Sequence, residues 1–198
     1  MIVPRFYPIV DSLEAADAVL QAGAKILQWR HKGPLTRQAF ETAAAIAERC
    51  RGVPFVVNDR ADVAVLLGAN LHLGQDDLPP VLARQMVYMI GLSTHNAAQM
   101  QAANEEPVVY HALGPIFPTA SKANPDPVVG LTGLRAIAPL SNRPVVAIGG
   151  ITFETAASVI EAGADSVAVI GALQQGDITR TARAWIQHLR EPPDSSIL

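Results

Sequence analysis

The sequence predicts one α/β domain folded as a (β/α)8 TIM barrel, and three observations carry that reading. Short β-rich runs alternate with longer alanine-rich helical runs along the chain. Most of the short runs are continuously apolar, as parallel strands covered on both faces are. A Gly-Ala pair closes a helical run and leads into a strand three times, at Gly23-Ala24, Gly68-Ala69 and Gly163-Ala164, which lie 45 and 95 residues apart. Two and four βα units of roughly 23 residues account for both separations. A chain of 198 residues then holds eight units, the number that closes a barrel.

The strands are expected at Phe6–Val10, Ile26–Arg30, Phe55–Asn58, Leu71–Leu73, Met89–Ser93, Val108–His111, Val145–Ile148 and Ser166–Ile170. Helical patterns lie between them, with Leu13–Ala22, Arg37–Arg49 and Phe153–Ala162 the most regular. Glycine after three of the helices fits the left-handed position that ends a helix. The rival is an open doubly wound sheet, which usually carries a glycine-rich turn after the first strand; Val10-Asp11-Ser12 is not one. The barrel is expected over residues 1–190, with 191–198 a flexible tail. The segment from Gly114 to Gly130 is rich in proline and has no regular pattern. A long loop inside a compact domain is usually functional.

Composition narrows the function. Hydrophobic residues make up 49% of the chain, charged residues 17%, and the formal net charge is −3. That is globular composition, and it gives no electrostatic support for nucleic-acid binding. A single cysteine, Cys50, excludes an intramolecular disulfide framework and reads as a packed thiol. No run approaches the roughly 20 apolar residues of a membrane span, and Met1-Ile2-Val3-Pro4-Arg5 has no signal-peptide pattern. A soluble cytoplasmic protein acting on small molecules is expected. The sequence is compatible with a homo-oligomer and specifies no oligomeric state.

In such barrels the site lies at the C-terminal ends of the strands. Strand two ends Gln28-Trp29-Arg30-His31-Lys32. Alternation places Gln28, Arg30 and Lys32 on one face and Trp29 and His31 on the other. An amide, a guanidinium and an ammonium converging on the barrel mouth make an anion site. Lys122 lies in the long loop with Thr119 and Ser121, where two hydroxyls and an ammonium could hold phosphate or form an ordinary polar loop. Strand seven ends in Gly149-Gly150-Ile151-Thr152, just before a helix. Backbone amides there suit phosphate, while the alternative is a tight turn with Thr152 as an N-cap. Gly171-Ala172 after strand eight leaves amides open to the same group.

Carboxylates stand at two neighbouring strand ends, in Asn58-Asp59-Arg60 and in Gly74-Gln75-Asp76-Asp77. Oxygen ligands from adjacent strands, completed by phosphate oxygens, suit Mg²⁺. Taken singly, Asp59 and Asp77 read equally well as helix caps. Strand five ends Gly91-Leu92-Ser93-Thr94-His95-Asn96. Asn96 is expected to cap the next helix. His95 suits general acid–base work, but the favoured reading is a hydrogen bond to loop backbone. His72 and His188 read as structural.

Together these segments, from Phe6 to about Leu173, resemble the thiamine phosphate synthase family and its relative, the thiazole tautomerase family. Q-x-R-x-K matches Gln28, Arg30 and Lys32; N-D-R matches Asn58 to Arg60; H-L-G-Q-x-D matches His72 to Asp77. G-x-S-x-H-N matches Gly91 to Asn96, G-P-[IV]-F-P-T matches Gly114 to Thr119, and A-I-G-G-I matches Ala147 to Ile151. The resemblance implies that Gln28, Arg30, Lys32, Asn58 and Lys122 hold the diphosphate of hydroxymethylpyrimidine diphosphate. It implies that Asp59 and Asp77 bind Mg²⁺ and that Ser93 lies near the pyrimidine. Thr119, Ser121, Gly150, Ile170 and Gly171 would hold the thiazole phosphate. Arg30, Lys32, Lys122 and Ser93 are the implied catalytic set, for a reaction in which diphosphate leaves first and the thiazole nitrogen attacks the pyrimidine-methyl cation. The chain departs from the family at His31, usually acidic, at Ser121, usually Thr, and at Gly171, commonly Ser. A tautomerase would share His95 but would not need the diphosphate and Mg²⁺ set. A non-catalytic phosphate-ligand barrel would need no paired carboxylates.

Overall fold

The computed structural model describes residues 3–119, 126–173 and 176–190. Eight parallel strands form a closed barrel in sequence order, β1 (Phe6–Val10), β2 (Leu27–Trp29), β3 (Phe55–Asn58), β4 (Asn70–Leu73), β5 (Ile90–Thr94), β6 (Tyr110–Leu113), β7 (Val145–Ile148) and β8 (Ser166–Val169). The α-helices outside it are α1 (Leu13–Ala22), α2 (Arg37–Arg49), α3 (Ala61–Leu67), α4 (Pro80–Ala83), α5 (Ala97–Ala103), α6 (Gly130–Ile137), α7 (Phe153–Glu161) and α8 (Ile178–His188). The predicted barrel is therefore present, and β1, β3, β7, α1 and α2 have the predicted bounds. The largest offset is in β6. The apolar run starts at Val108, but the paired ladder starts at Tyr110 opposite Gly91, because hydrophobicity marks burial and not pairing. The tail 191–198 lies outside the described residues. No helix among those described is long and apolar enough to cross a membrane.

Two apolar layers hold the barrel. Outward-facing strand residues such as Phe6, Leu27, Trp29, Val57 and Leu71 pack with the inward faces of the helices. A second cluster fills the barrel itself and includes Tyr7, Ile9, Val56, Tyr110, Val146 and Ala168. Capping fixes where helices begin. Ser12, Thr36, Asn96 and Asp177 each accept a hydrogen bond from a first-turn amide, contributing about 1 kcal/mol apiece. Gly23 and Gly68 end α1 and α3 in the left-handed conformation, as the Gly-Ala recurrence predicts. The Ser166 hydroxyl donates to the Pro4 carbonyl at 2.6 Å beside the β8–β1 pairing, tying the barrel seam.

Candidate active site

A cavity of about 760 Å³ opens at the C-terminal ends of the strands and reaches down into the barrel. Strand alternation decides what lines it. Each second residue faces inward, so β1 contributes Tyr7 and Ile9, β2 Gln28, β4 His72, β5 Ser93 and β6 Tyr110 and Ala112. Trp29 faces the other way, is buried under the helices, and stacks on His31 at 5.7 Å between ring centroids. Gln28 and Arg30 therefore line the cavity, as their spacing predicts. Lys32 is exposed and is not among the lining residues. Ser121 and Lys122 lie outside the described residues; Thr119, just before them, lines the cavity.

The cavity floor is a chain of hydrogen bonds. The Gln28 amide donates to the Tyr7 hydroxyl at 3.2 Å, and the Tyr7 and Tyr110 hydroxyls are 2.7 Å apart. Tyr110 then meets Nδ1 of His72 at 2.9 Å, and Nε2 of His72 meets Ser93 Oγ at 3.0 Å. Burial holds the His72 imidazole at about 4, against an ordinary 6.5, despite the opposing pull of Asp77, and it pushes both tyrosines above their usual range. All three are thus neutral near pH 7. One proton arrangement gives every O–H and N–H in the chain an acceptor: Gln28 to Tyr7, Tyr7 to Tyr110, Tyr110 to Nδ1, and Nε2–H to Ser93. Ser93 accepts from His72 in that arrangement, leaving its own proton for a ligand. Gly91 makes the contact possible. It sits between His72 and Tyr110 in the strand register, and a Cβ there would lie 2.0 Å from the Tyr110 ring.

At the rim, β3 and β4 bring two carboxylates together. Asp59 has a positive φ of 62°, the left-handed region that non-glycine residues seldom occupy. Its carboxyl is raised to about 6, chiefly by shielding from water, then by the charge of Asp77 and a hydrogen bond with it, against the pull of Arg30. Neither aspartate caps a helix. Arg60 and Pro79 are the N-cap residues of α3 and α4, and Asp77 instead accepts from the Gly74 amide at 2.7 Å. Two carboxylates held against each other, one of them on strained backbone, are a donor set suited to a divalent cation. Asn58 lines the cavity beside them.

Across the mouth, the ends of β7 and β8 supply backbone. Gly149 and Gly150 have φ of 98° and 63°. A Cβ on Gly149 would lie 2.6 Å from Pro115 Cβ, and one on Gly150 would lie 2.5 Å from the Pro118 carbonyl oxygen. Only glycine lets the 114–119 loop lie this close. Thr152 caps α7 in a capping box with Thr155. Ile170, Gly171 and Ala172 complete the wall. His95 takes the backbone role favoured for it: Nδ1 donates to the Gly114 carbonyl at 2.5 Å, which turns Nε2 toward Asp126 at 3.4 Å. Sequence reasoning missed Tyr7, Tyr110 and the part played by His72. The available signal was parity, because all three occupy inward positions of their strands.

A profile for the family described as thiamine monophosphate synthase matches residues 2–173. The thiamine-phosphate synthase of Koribacter versatilis is 45% identical over 188 residues, covering 86% of this chain and 89% of that protein. The thiamine-phosphate synthase of Chloroflexus aurantiacus is 42% identical over 173 residues, covering 84% and 80%. Among solved structures, the thiamine phosphate pyrophosphorylase from Pyrococcus furiosus superposes with a TM-score of 0.85 at 30% identity, covering 93% of this chain and 95% of the other. A 3-hexulose-6-phosphate synthase, at 15% identity and a TM-score of 0.72, shares the fold alone. The chain belongs to the thiamine monophosphate synthase family and is a transferase built on a (β/α)8 barrel.

Proposed function

We propose that this protein condenses hydroxymethylpyrimidine diphosphate with hydroxyethylthiazole phosphate, giving thiamine phosphate and diphosphate. The observation that carries the proposal is the pairing of two unlike anion subsites over one polar floor. On one side Arg30 and the Asp59–Asp77 pair face the cavity, and on the other stand Gly149-Gly150 and Gly171-Ala172. An enzyme handling a single monophosphate would need only the second subsite.

Asp59 and Asp77 would hold Mg²⁺. When bound, that ion supplies neutralising charge to the diphosphate oxygens. The residues of the chain divide the remaining work. Arg30, with Lys32 and Lys122 as implied partners, binds the diphosphate and stabilises the charge that grows as the C–O bond breaks and the electron pair leaves with diphosphate. Ser93 orients the pyrimidine ring through the proton that the floor leaves free, and Gln28 and Asn58 serve the diphosphate side of the cavity. Thr119 and Ser121, with the amides around Gly150, Ile170 and Gly171, hold the thiazole phosphate so that its ring nitrogen forms the new C–N bond at the pyrimidine methylene carbon. Most of the acceleration comes from positioning two substrates, and no protein nucleophile is needed.

The test is direct binding of inorganic diphosphate by calorimetry. Mg²⁺ should tighten it more than tenfold, and Asp77→Ala should remove most of that gain. Diphosphate binding indifferent to Mg²⁺ would overturn the assignment of the carboxylate pair.

A further inference from the structure

One side chain touches both limbs of the long loop that follows β6. His95 stands between the end of β5 and the start of α5, where its backbone is fixed. Its amide donates to Gln99 Oε1 at 2.7 Å, and the Asn96 side chain caps α5 beside it. From there Nδ1 reaches the Gly114 carbonyl, where the loop leaves β6, and Nε2 lies 3.4 Å from a carboxylate oxygen of Asp126 on the returning limb. Backbone joins the same limbs. The amides of Val129 and Gly130 donate to the carbonyls of Pro115 and Ile116 at 2.8 and 3.0 Å, and those of Ile116 and Phe117 donate to Ile148 and Gly149 at 2.9 Å. The outgoing limb is thus seated on the end of β7, the returning limb joins it at Val129, and Asp126 lies just before that junction.

Asp126 is out of place by charge alone. It lines the cavity with Thr119, Gly150 and Gly171, on the side assigned to a phosphate group, where a carboxylate facing the ligand would repel it. The contact with His95 accounts for it. A carbonyl only accepts, so the Gly114 contact places a proton on Nδ1, and a second proton, on Nε2, makes the contact with Asp126 an ion pair. We propose that Asp126 is a positioning residue for the thiazole phosphate: with His95 it closes the loop after β6 so that Thr119 faces that phosphate, and it turns its own charge toward the imidazole. The proposal rests on the assignment of Thr119 to the thiazole phosphate. The pair acts on one subsite only, since the diphosphate groups Arg30, Asp59 and Asp77 belong to the ends of β2, β3 and β4, across the mouth. Its effect is that of holding one hydroxyl in place for an anion, which governs about tenfold in affinity.

The experiment is calorimetric titration of the full chain with hydroxyethylthiazole phosphate and, separately, with inorganic diphosphate and Mg²⁺. Asp126→Ala should weaken thiazole phosphate binding about five- to tenfold and leave diphosphate binding unchanged. Asp126→Asn should restore the wild-type affinity, because a carboxamide can donate to a bare Nε2 or accept from its N–H. His95→Asn should show the same selective loss, and the double variant with Asp126→Ala should lose no more than either alone, as two residues of one contact do. Melting temperatures should stay nearly constant, because an ion pair at the edge of a solvent-filled cavity contributes little to folding. Equal or tighter binding of thiazole phosphate by Asp126→Ala, an equal loss for both ligands, no rescue by Asn, or additive losses in the double variant would overturn the proposal. Wild-type protein that binds thiazole phosphate with this dependence on Asp126 but forms no thiamine phosphate would overturn the synthase reading and leave the positioning role standing; wild-type protein that does not bind thiazole phosphate would overturn both.

Discussion

The hydroxyls of Tyr7 and Tyr110 meet at 2.7 Å inside the barrel, although β1 and β6 are not neighbours in the sheet. This contact joins Gln28 on one side to His72 and Ser93 on the other, so residues from five strands act as one polar floor. Tyr110→Phe cuts the chain in the middle, leaving the Tyr7 hydroxyl and Nδ1 of His72 buried without their partner. The expected cost is about 1–3 kcal/mol of stability, together with a rise in KM for the pyrimidine substrate as the Ser93 hydroxyl loses its orientation. Denaturant unfolding and steady-state kinetics read the two effects. Unchanged stability and KM would show that the contact orders nothing.

His72 sets a pH dependence of stability with a definite sign. The unfolded imidazole binds its proton near 6.5 and the native one only near 4. Between those values the unfolded state binds more protons, so stability rises with pH. Above 6.5 both states are neutral and the effect vanishes. Falling from pH 6.5 to 4 should therefore remove up to about 3 kcal/mol through this group, at 1.36 kcal/mol per unit. Denaturant melts from pH 4.5 to 7.5 should show a shallower slope in His72→Gln than in the wild type. Parallel slopes would mean that the imidazole titrates normally.

The carboxylate pair makes opposite predictions for folding and for function. Asp59→Asn keeps a residue that tolerates positive φ and removes the repulsion from Asp77. In metal-free protein its stability at pH 7 should be unchanged or higher by at most about 1 kcal/mol, a small figure because the partly shielded side chain still meets water at the rim. Activity should fall by roughly 100-fold or more, the scale on which removing one charge-stabilising group acts. A marked loss of stability would make Asp59 a structural residue.

Lys122→Ala tests the long loop. Turnover should fall strongly, by about 10- to 100-fold, while the melting temperature stays nearly constant, because a lysine whose charge serves a ligand contributes little to folding. Unchanged turnover would remove Lys122 from the site.

The barrel and much of the rim were legible in the sequence because they depend on local signals. Period-two alternation after β2 separates Gln28 and Arg30 from Trp29, and glycines after α1 and α3 mark the helix ends. The floor was less legible. Tyr7 and Tyr110 lie 103 residues apart, and their contact follows from the closure and register of the whole sheet, which no local window contains. His72 read as structural for the same reason, since its two partners are on β5 and β6. For Gly149 and Gly150, which follow β7, sequence spacing points to phosphate or to a tight turn, and the structure adds a steric demand that spacing does not show: Pro115 and Pro118 occupy the space a side chain would need.

The central claim is that one site holds two anionic substrates and couples them. Purified protein given Mg²⁺ and both substrates should form thiamine phosphate and diphosphate in equal amounts, and His95→Asn should slow this only modestly, because His95 serves the Gly114 carbonyl and the chemistry needs no obligatory protein base. Isomerisation of the thiazole without a coupled product, abolished by that same substitution, would contradict the account.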